Sequence, residues 1–245
     1  MLKLKVVIED EAWILIDKPA RFHTHPPEAR ELRILPRWNA QGILEKQLGH
    51  AVWPSHRLDR ATSGLLLYSK DRSWNEKLQR QFAEKTVGKG YFAVVRGTFR
   101  NAASLNAGLK NAAGELRPAE TLVAPVATFS LPLPHPSGGD RTFTFVRAEP
   151  RTGRFHQIRR HLAGAGYPVL GDSRHGDKKL NRGFSALTGC EGLFLRCMEL
   201  SFRCPRTGAR IEATARWGKE WHRLFEFAGV CPLTASPSRG LPSPS

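Results

Sequence analysis

Residues 55–66 read S-H-R-L-D-R-A-T-S-G-L-L. One acid, Asp59, stands between Arg57 and Arg60, and a small polar run follows before the chain turns apolar. Such an acid is either a reagent held at the start of a buried strand or a counter-ion in a loop ion pair. A second cluster, G-K-G-Y-F-A-V-V-R-G, puts Tyr91 at the opening of a strand beside Lys89. A tyrosine there packs into a core or stacks its ring on a base. In a third, T-G-R-F-H-Q-I-R-R-H-L, His156, Arg159 and Arg160 fall at i, i+3 and i+4 and so share a helix face. Arg154 adds positive charge near the start of that helix, where backbone N–H groups already attract phosphate. The alternative is a solvated basic face.

Other reaction patterns are missing. No G-x-S-x-G, P-loop, G-x-G-x-x-G after a strand or H-E-x-x-H occurs. Glu31 also sits between arginines, Arg30 and Arg33, but with no strand to hold it, so a two-carboxylate glycosidase pair lacks its second member. Cys190, Cys197, Cys204 and Cys231 are separated by 7, 7 and 27 residues, which fits no C-x2-C zinc pattern. Cys197 lies in an apolar run and reads as a small core residue. His156 and His161 are five apart, wrong for a metal pair on one helix face. Neither a metal nor another cofactor is expected.

The elements that must hold these groups follow from pattern. L-K-V-V-I-E-D-E-A-W-I-L-I-D-K-P reads as two strands about a polar turn at Glu9 to Glu11, ended by Pro19. Residues 20–39 read as loop, 42–49 as a short helix stopped by Gly49, and 63–70 as a strand too apolar to have a wet face. Trp74, Leu78 and Phe82 recur every four residues after the capping candidates Asp71 and Ser73, which makes a helix with a core stripe. Gly88 and Gly90 read as breaks before a strand over 91–96. Residues 101–117 look like a loop or hairpin, and strands follow on both sides of a Pro/Gly-rich loop at 130–140. Thr152 is the expected cap of the helix carrying Phe155, Ile158 and Leu162. Two late strands, a last helix from Lys219 and a floppy tail over 232–245 complete the chain, with residues 1–231 as one domain. Strands and helices mix without regular βαβ alternation, so the expected class is α+β with a largely antiparallel sheet.

Composition names the partner. Among 245 residues, 38 are Lys or Arg against 22 Asp or Glu, a net charge of +16. An excess this large concentrates polyanions near the surface, and nucleic acid repays it by releasing counterions. No basic amphipathic helix suggests a lipid surface, and no apolar run approaches membrane-spanning length. Acids come too early at the N-terminus for a signal peptide, so a cytoplasmic setting is expected.

Taken in order, H-R-L-D-R-A-T-S-G-L-L-L, K-G-Y-F-A-V-V-R-G and T-G-R-F-H-Q-I-R-R-H-L resemble the three signature segments of RluA-type pseudouridine synthases. E-D-E-A-W-I-L-I-D-K-P resembles that family's N-terminal strand pair, and the likeness spans roughly residues 5 to 230. G-Y-P-V-L-G-D-S-R-H-G-D-K-K-L-N-R and the Pro-rich loop resemble the subgroup that modifies uridine 65 of certain tRNAs. The resemblance implies a pseudouridine synthase fold: a mixed, largely antiparallel sheet, flanking helices and a central RNA-binding cleft. It implies Asp59 as the catalytic aspartate, Tyr91 as the ring on the target base, and Arg159 as the partner of the aspartate. It further implies that Arg57 fills the gap left when the uridine swings out. Phe155 departs from it, standing where many members have threonine or lysine.

Arg60, Arg154 and His156 are expected to bind the RNA beside them. The partner is then RNA, tRNA in particular, with no membrane, no protein partner and a monomeric state. The competing readings are an isomerase acting on large-subunit rRNA, an RNA-binding protein that kept the cleft without chemistry, and an N-glycosidase releasing free uracil.

Overall fold

The computed structural model describes residues 2–26, 38–133 and 140–230. The chain divides into two compact units: Met1–Lys89 with Arg196–Ala215, and Gly90–Leu195 with Arg216–Ser245. Glu31 and its two arginines, the middle of the Pro/Gly-rich loop, Cys231 and the tail lie outside the described residues.

The first unit holds β1 (Lys5–Glu9), β2 (Trp13–Lys18), α1 (Ala40–Leu48), β3 (Trp53–Pro54), β4 (Ser63–Ser69) and α2 (Arg72–Ala83). The later segment returns as β11 (Leu195–Arg203) and β12 (Arg210–Thr214). Strands β1, β2, β4 and β11 are neighbours in that order, with β12 on β11 and β3 on β4. All pairs are antiparallel except β4 with β11. Every residue of β4 is buried, as its apolar run requires. Trp13, Ile14, Leu15 and Ile16 of β2 stand opposite Ser69, Tyr68, Leu67 and Leu66 there, and each buried aliphatic side chain is worth roughly 1.5–3 kcal/mol. The expected signals at helix ends are present. Gly49 closes α1 in the left-handed region, and the Asp71 side chain accepts the Ser73 N–H at the start of α2.

Gly64 shows why the run T-S-G must end in glycine. Its φ is +111°, and the parallel partner β11 passes so close that a β-carbon there would overlap the Cys197 carbonyl. Gly64→Ala is expected to cost about 2 kcal/mol or more, from strain plus a lost strand contact. Thermal unfolding indistinguishable from the parent would contradict it.

The second unit holds β5 (Gly88–Arg96, of which only the first two residues fall in the first unit), β6 (Ala103–Leu105), β7 (Leu109–Lys110), β8 (Leu116–Arg117), β9 (Thr121–Leu131) and β10 (Arg141–Pro150). Helices α3 (Gln157–Gly164), α4 (Lys178–Thr188) and α5 (Lys219–Ala228) follow. Strands β5, β10, β9 and β6 lie side by side and antiparallel, while β7 and β8 form a separate hairpin. Phe145 on β10 is the hub of an aromatic core with Phe92, Trp217, Trp221 and Phe225 at centroid distances of 5.3–6.1 Å. The class is therefore α+β with a mixed, mostly antiparallel sheet pattern, as expected.

Two local expectations are corrected, and one unassigned segment forms a helix. Gly88 and Gly90 do not break the chain but belong to β5; a side chain at Gly88 would strike the Ser201 hydroxyl. Residues 178–188, to which the pattern assigned no element, form α4, capped by Asp177 and closed by Gly189. The helix expected from Thr152 begins only at Gln157, after His156 in a left-handed conformation, φ +53°.

Candidate active site

Lys18 organises the Asp59 loop in the first unit. It ends β2 with 0% exposure, and its Nζ donates to the carbonyls of Pro19 (3.0 Å), Phe22 (2.9 Å) and Arg60 (3.4 Å). Three carbonyls match the three donors of an ammonium. Burial pushes the Lys18 pKa down from 10.5 to about 7, against the upward pull of the Asp59 and Asp17 carboxylates.

Two more anchors grip the loop. The buried Thr24 hydroxyl accepts the Leu58 N–H and donates to the Leu58 carbonyl, both at 3.1 Å. Tyr68 on β4 donates its hydroxyl to the Thr24 carbonyl at 2.7 Å, tying that anchor to the core strand. His56 stacks on Phe82 of α2 at 4.7 Å and accepts the Leu67 N–H on Nε2 at 3.1 Å. Burial, then the Lys89 charge, lower its pKa to about 3, so His56 is a neutral structural ring near pH 7. The Asp59 carbonyl accepts the Thr62 N–H at 3.0 Å, closing a turn. Asp59 is left half-buried between the exposed side chains of Arg57 and Arg60; Arg60 Nε donates to the Arg21 carbonyl at 3.2 Å.

Tyr91, Arg159, Arg154 and His156 belong to the second unit. Tyr91 is 8% exposed on β5, opposite Ala148 of β10. Arg159 is 4% exposed and bound edge-on by the equally buried Asp172, Nε to Oδ2 at 2.7 Å and Nη2 to Oδ1 at 2.8 Å. Burial raises the Asp172 pKa, but the Arg159 hydrogen bond and the His175 and Arg174 N–H groups outweigh it and hold it at about 2. The basic face expected from His156, Arg159 and Arg160 is thus not one solvated stripe. Arg159 points inward, Arg160 is half-buried, and His156 precedes the helix.

Gln157 explains the late start of α3. It is buried, and its side chain receives the Thr152 hydroxyl at 2.6 Å and the Arg154 N–H at 3.0 Å, while donating to the Glu120 carbonyl at 2.8 Å and to the Thr121 hydroxyl at 3.0 Å. The segment before the helix is pinned to the β9 end, and Thr152 is spent on that network rather than on a cap. Arg154 is exposed, with Nε donating to the Pro118 carbonyl at 3.1 Å. His161, the second histidine of the segment, is buried between the Thr121 hydroxyl and the Ala107 carbonyl.

Lys18, Thr24, Gln157 and Asp172 were not singled out from sequence. The signals were present in D-K-P and G-D-S, but a lone lysine or aspartate declares its role only when its burial is known. The first unit carries an acid on a braced loop; the second carries a strand tyrosine and an arginine aligned by a buried carboxylate. No group of three or more potential metal ligands occurs among the described residues.

Residues 12–164 match the RNA pseudouridylate synthase family model. The chain is 30% identical over 245 residues to tRNA pseudouridine synthase C of Yersinia pestis, covering 94% of this chain and 93% of that protein. It is 31% identical to the Vibrio vulnificus protein of the same name, with 91% and 94% covered. Human RNA Pseudouridylate Synthase Domain Containing 4 has the same fold at a TM-score of 0.71 and 18% identity, covering 92% of this chain and 93% of that one. Human RNA Pseudouridylate Synthase Domain Containing 1 gives 0.69 at 20% identity, with 88% and 84% covered. By a family match over more than half its length and relatives that span nearly all of it, the chain belongs to the RNA pseudouridylate synthase family.

Proposed function

We propose that this RNA pseudouridine synthase acts on tRNA, at uridine 65, and that Asp59 is the group that starts the reaction. The observation that carries the aspartate is its loop: Lys18 and Thr24 hold its backbone at Arg60 and Leu58, and the His56 side chain ties it to Leu67 of β4, yet the acid stays half-buried between two exposed arginines. A counter-ion in an ordinary surface loop needs no such bracing. The tRNA reading rests on relatives named tRNA pseudouridine synthase C and on the net charge of +16.

Pseudouridine forms when the N1–C1′ bond breaks, the uracil turns and C5 bonds to C1′. The C5 proton leaves and N1 ends protonated, so atoms balance without a cofactor or an energy source. The uridine must leave its stack, at a cost of a few kcal/mol. Arg57 would occupy the vacated space and offset part of that cost. Ionised Asp59 would then attack C1′ or remove the 2′ proton to give a glycal. Arg159, one edge of its guanidinium held by Asp172, would steady the carboxylate with the rest of its fork. Tyr91 would stack on the detached uracil and help remove the C5 proton. Arg60, Arg154 and His156 would grip the backbone, which positions RNA without reading its sequence. Both units, residues 1–231, would serve as one catalytic domain in a monomer.

Mapping pseudouridine across total RNA from cells lacking this chain tests the substrate. Loss at uridine 65 of tRNAs, with rRNA sites intact, is expected; loss confined to large-subunit rRNA would replace the tRNA reading.

A further inference from the structure

Phe155 is the most exposed phenylalanine of the described residues, at 53%, and stands before the helix on which its spacing to Ile158 and Leu162 placed it. The Gln157 network turns it outward by ending the loop before the helix starts. Its ring lies on the His156 ring, centroids 3.8 Å apart and planes 19° apart. His156 takes φ +53°, costly for a residue with a β-carbon, and its Nδ1 shares a hydrogen bond with His175 Nε2 at 2.9 Å. The imidazole is therefore fixed, and Phe155 rests on a rigid support. The Arg174 guanidinium lies over the Phe155 ring, 5.5 Å from its centroid and so at the outer part of cation–π range, and the ring still keeps 53% of its surface exposed. Arg160 reaches back to the Phe155 carbonyl at 3.4 Å and borders a cavity of about 530 Å3 that His175, Asn106 and Ser104 also line.

A ring that is backed on one side, open to solvent and bordered by two arginines suits a flat, uncharged group attached to an anion. We propose that Phe155, supported by His156, is a stacking platform for an unpaired nucleobase of the substrate RNA, with Arg160 and Arg174 taking the adjoining phosphates. The base is other than the target uridine, whose proposed stacking partner is Tyr91. The proposal deepens the RNA-modifying reading and rests on it for the identity of the ligand. Stacking on an aromatic side chain tolerates any base, so this contact adds grip and register rather than a sequence code.

The test compares Phe155→Ala, Phe155→Leu and Phe155→Trp for binding of unfractionated tRNA and of a twelve-residue oligouridine, and for turnover of [5-3H]uridine-labelled tRNA. Phe155→Ala should raise both the Kd and the KM about tenfold with kcat within about twofold, the size expected for one lost stack. Phe155→Trp should restore both, while Phe155→Leu, apolar but without a π-face, should not. An unchanged Kd in Phe155→Ala, or a leucine variant as good as tryptophan, overturns the platform. An effect on kcat alone also overturns it. The ring is exposed, so its replacement opens no hole in the core, and equal thermal unfolding of the leucine and tryptophan variants checks that. Failure of the tRNA reading would appear in the RNA map instead, and leaves the oligouridine comparison informative.

Discussion

Asp59→Asn is expected to lower turnover by more than about 10^3-fold while RNA affinity stays within about tenfold. The amide is isosteric, but it neither attacks C1′ nor takes a 2′ proton, so either route stops. The loop should survive the change, because its anchors hold backbone atoms: Lys18 on the Arg60 carbonyl, Thr24 on both polar groups of Leu58, and Leu67 on the His56 ring. Binding should survive because phosphate contacts come from many arginines and lysines, each adding to the salt dependence of the affinity. Tritium released from [5-3H]uridine-labelled tRNA reads turnover, since the C5 hydrogen must leave. Filter binding in the same buffer reads affinity. Wild-type tritium release by the variant would remove Asp59 from the chemistry. Free uracil from the parent protein would instead point to a glycosidase, and tight binding with no release at all to an RNA chaperone.

The frame around this acid was legible because each signal was local. The two strands about Glu9–Glu11, the wholly buried strand at Ser63–Ser69, the Asp71 cap and the Gly49 stop all follow from spacing or from one residue's conformational preference. Family likeness then supplied roles that spacing alone left open between reagent and counter-ion. What failed was long-range. Thr152 looks like a cap, but the side chain of Gln157 and the distant Glu120 capture it, and the helix starts five residues later. Gly183 and a charged lead-in masked α4, whose Leu180 and Phe184 are buried four residues apart. Lys18 looks like a surface lysine after a strand, and only folding shows that three carbonyls converge on it. Asp172 hides its importance for the same reason, since its partner is thirteen residues away.

That partnership makes the second large prediction. Arg159→Leu should abolish most turnover and destabilise the protein by about 3–5 kcal/mol, because it strands the Asp172 carboxylate in a site with 1% exposure. Activity loss in this variant alone cannot separate chemistry from folding. Adding Asp172→Asn removes the stranded charge, and the asparagine oxygen still accepts the Arg174 and His175 N–H groups now bound by Oδ1. The double variant should regain at least about 1 kcal/mol over the single one, and its turnover should stay low. Recovery of turnover together with stability would reduce Arg159 to a structural residue. The pH dependence gives a second reading with a definite sign. In the parent, Asp172 is held at about 2, below its ordinary 3.8, so its contribution, roughly 2 kcal/mol, is full above pH 4 and is lost as pH falls toward 2. Without Arg159, burial acts with less opposition and raises the folded-state pKa of Asp172, so protonation relieves the variant as acid is added. The stability gap between parent and Arg159→Leu should therefore narrow between pH 6 and pH 3, whereas a gap constant over that range would mean that the carboxylate takes its charge from partners other than this guanidinium.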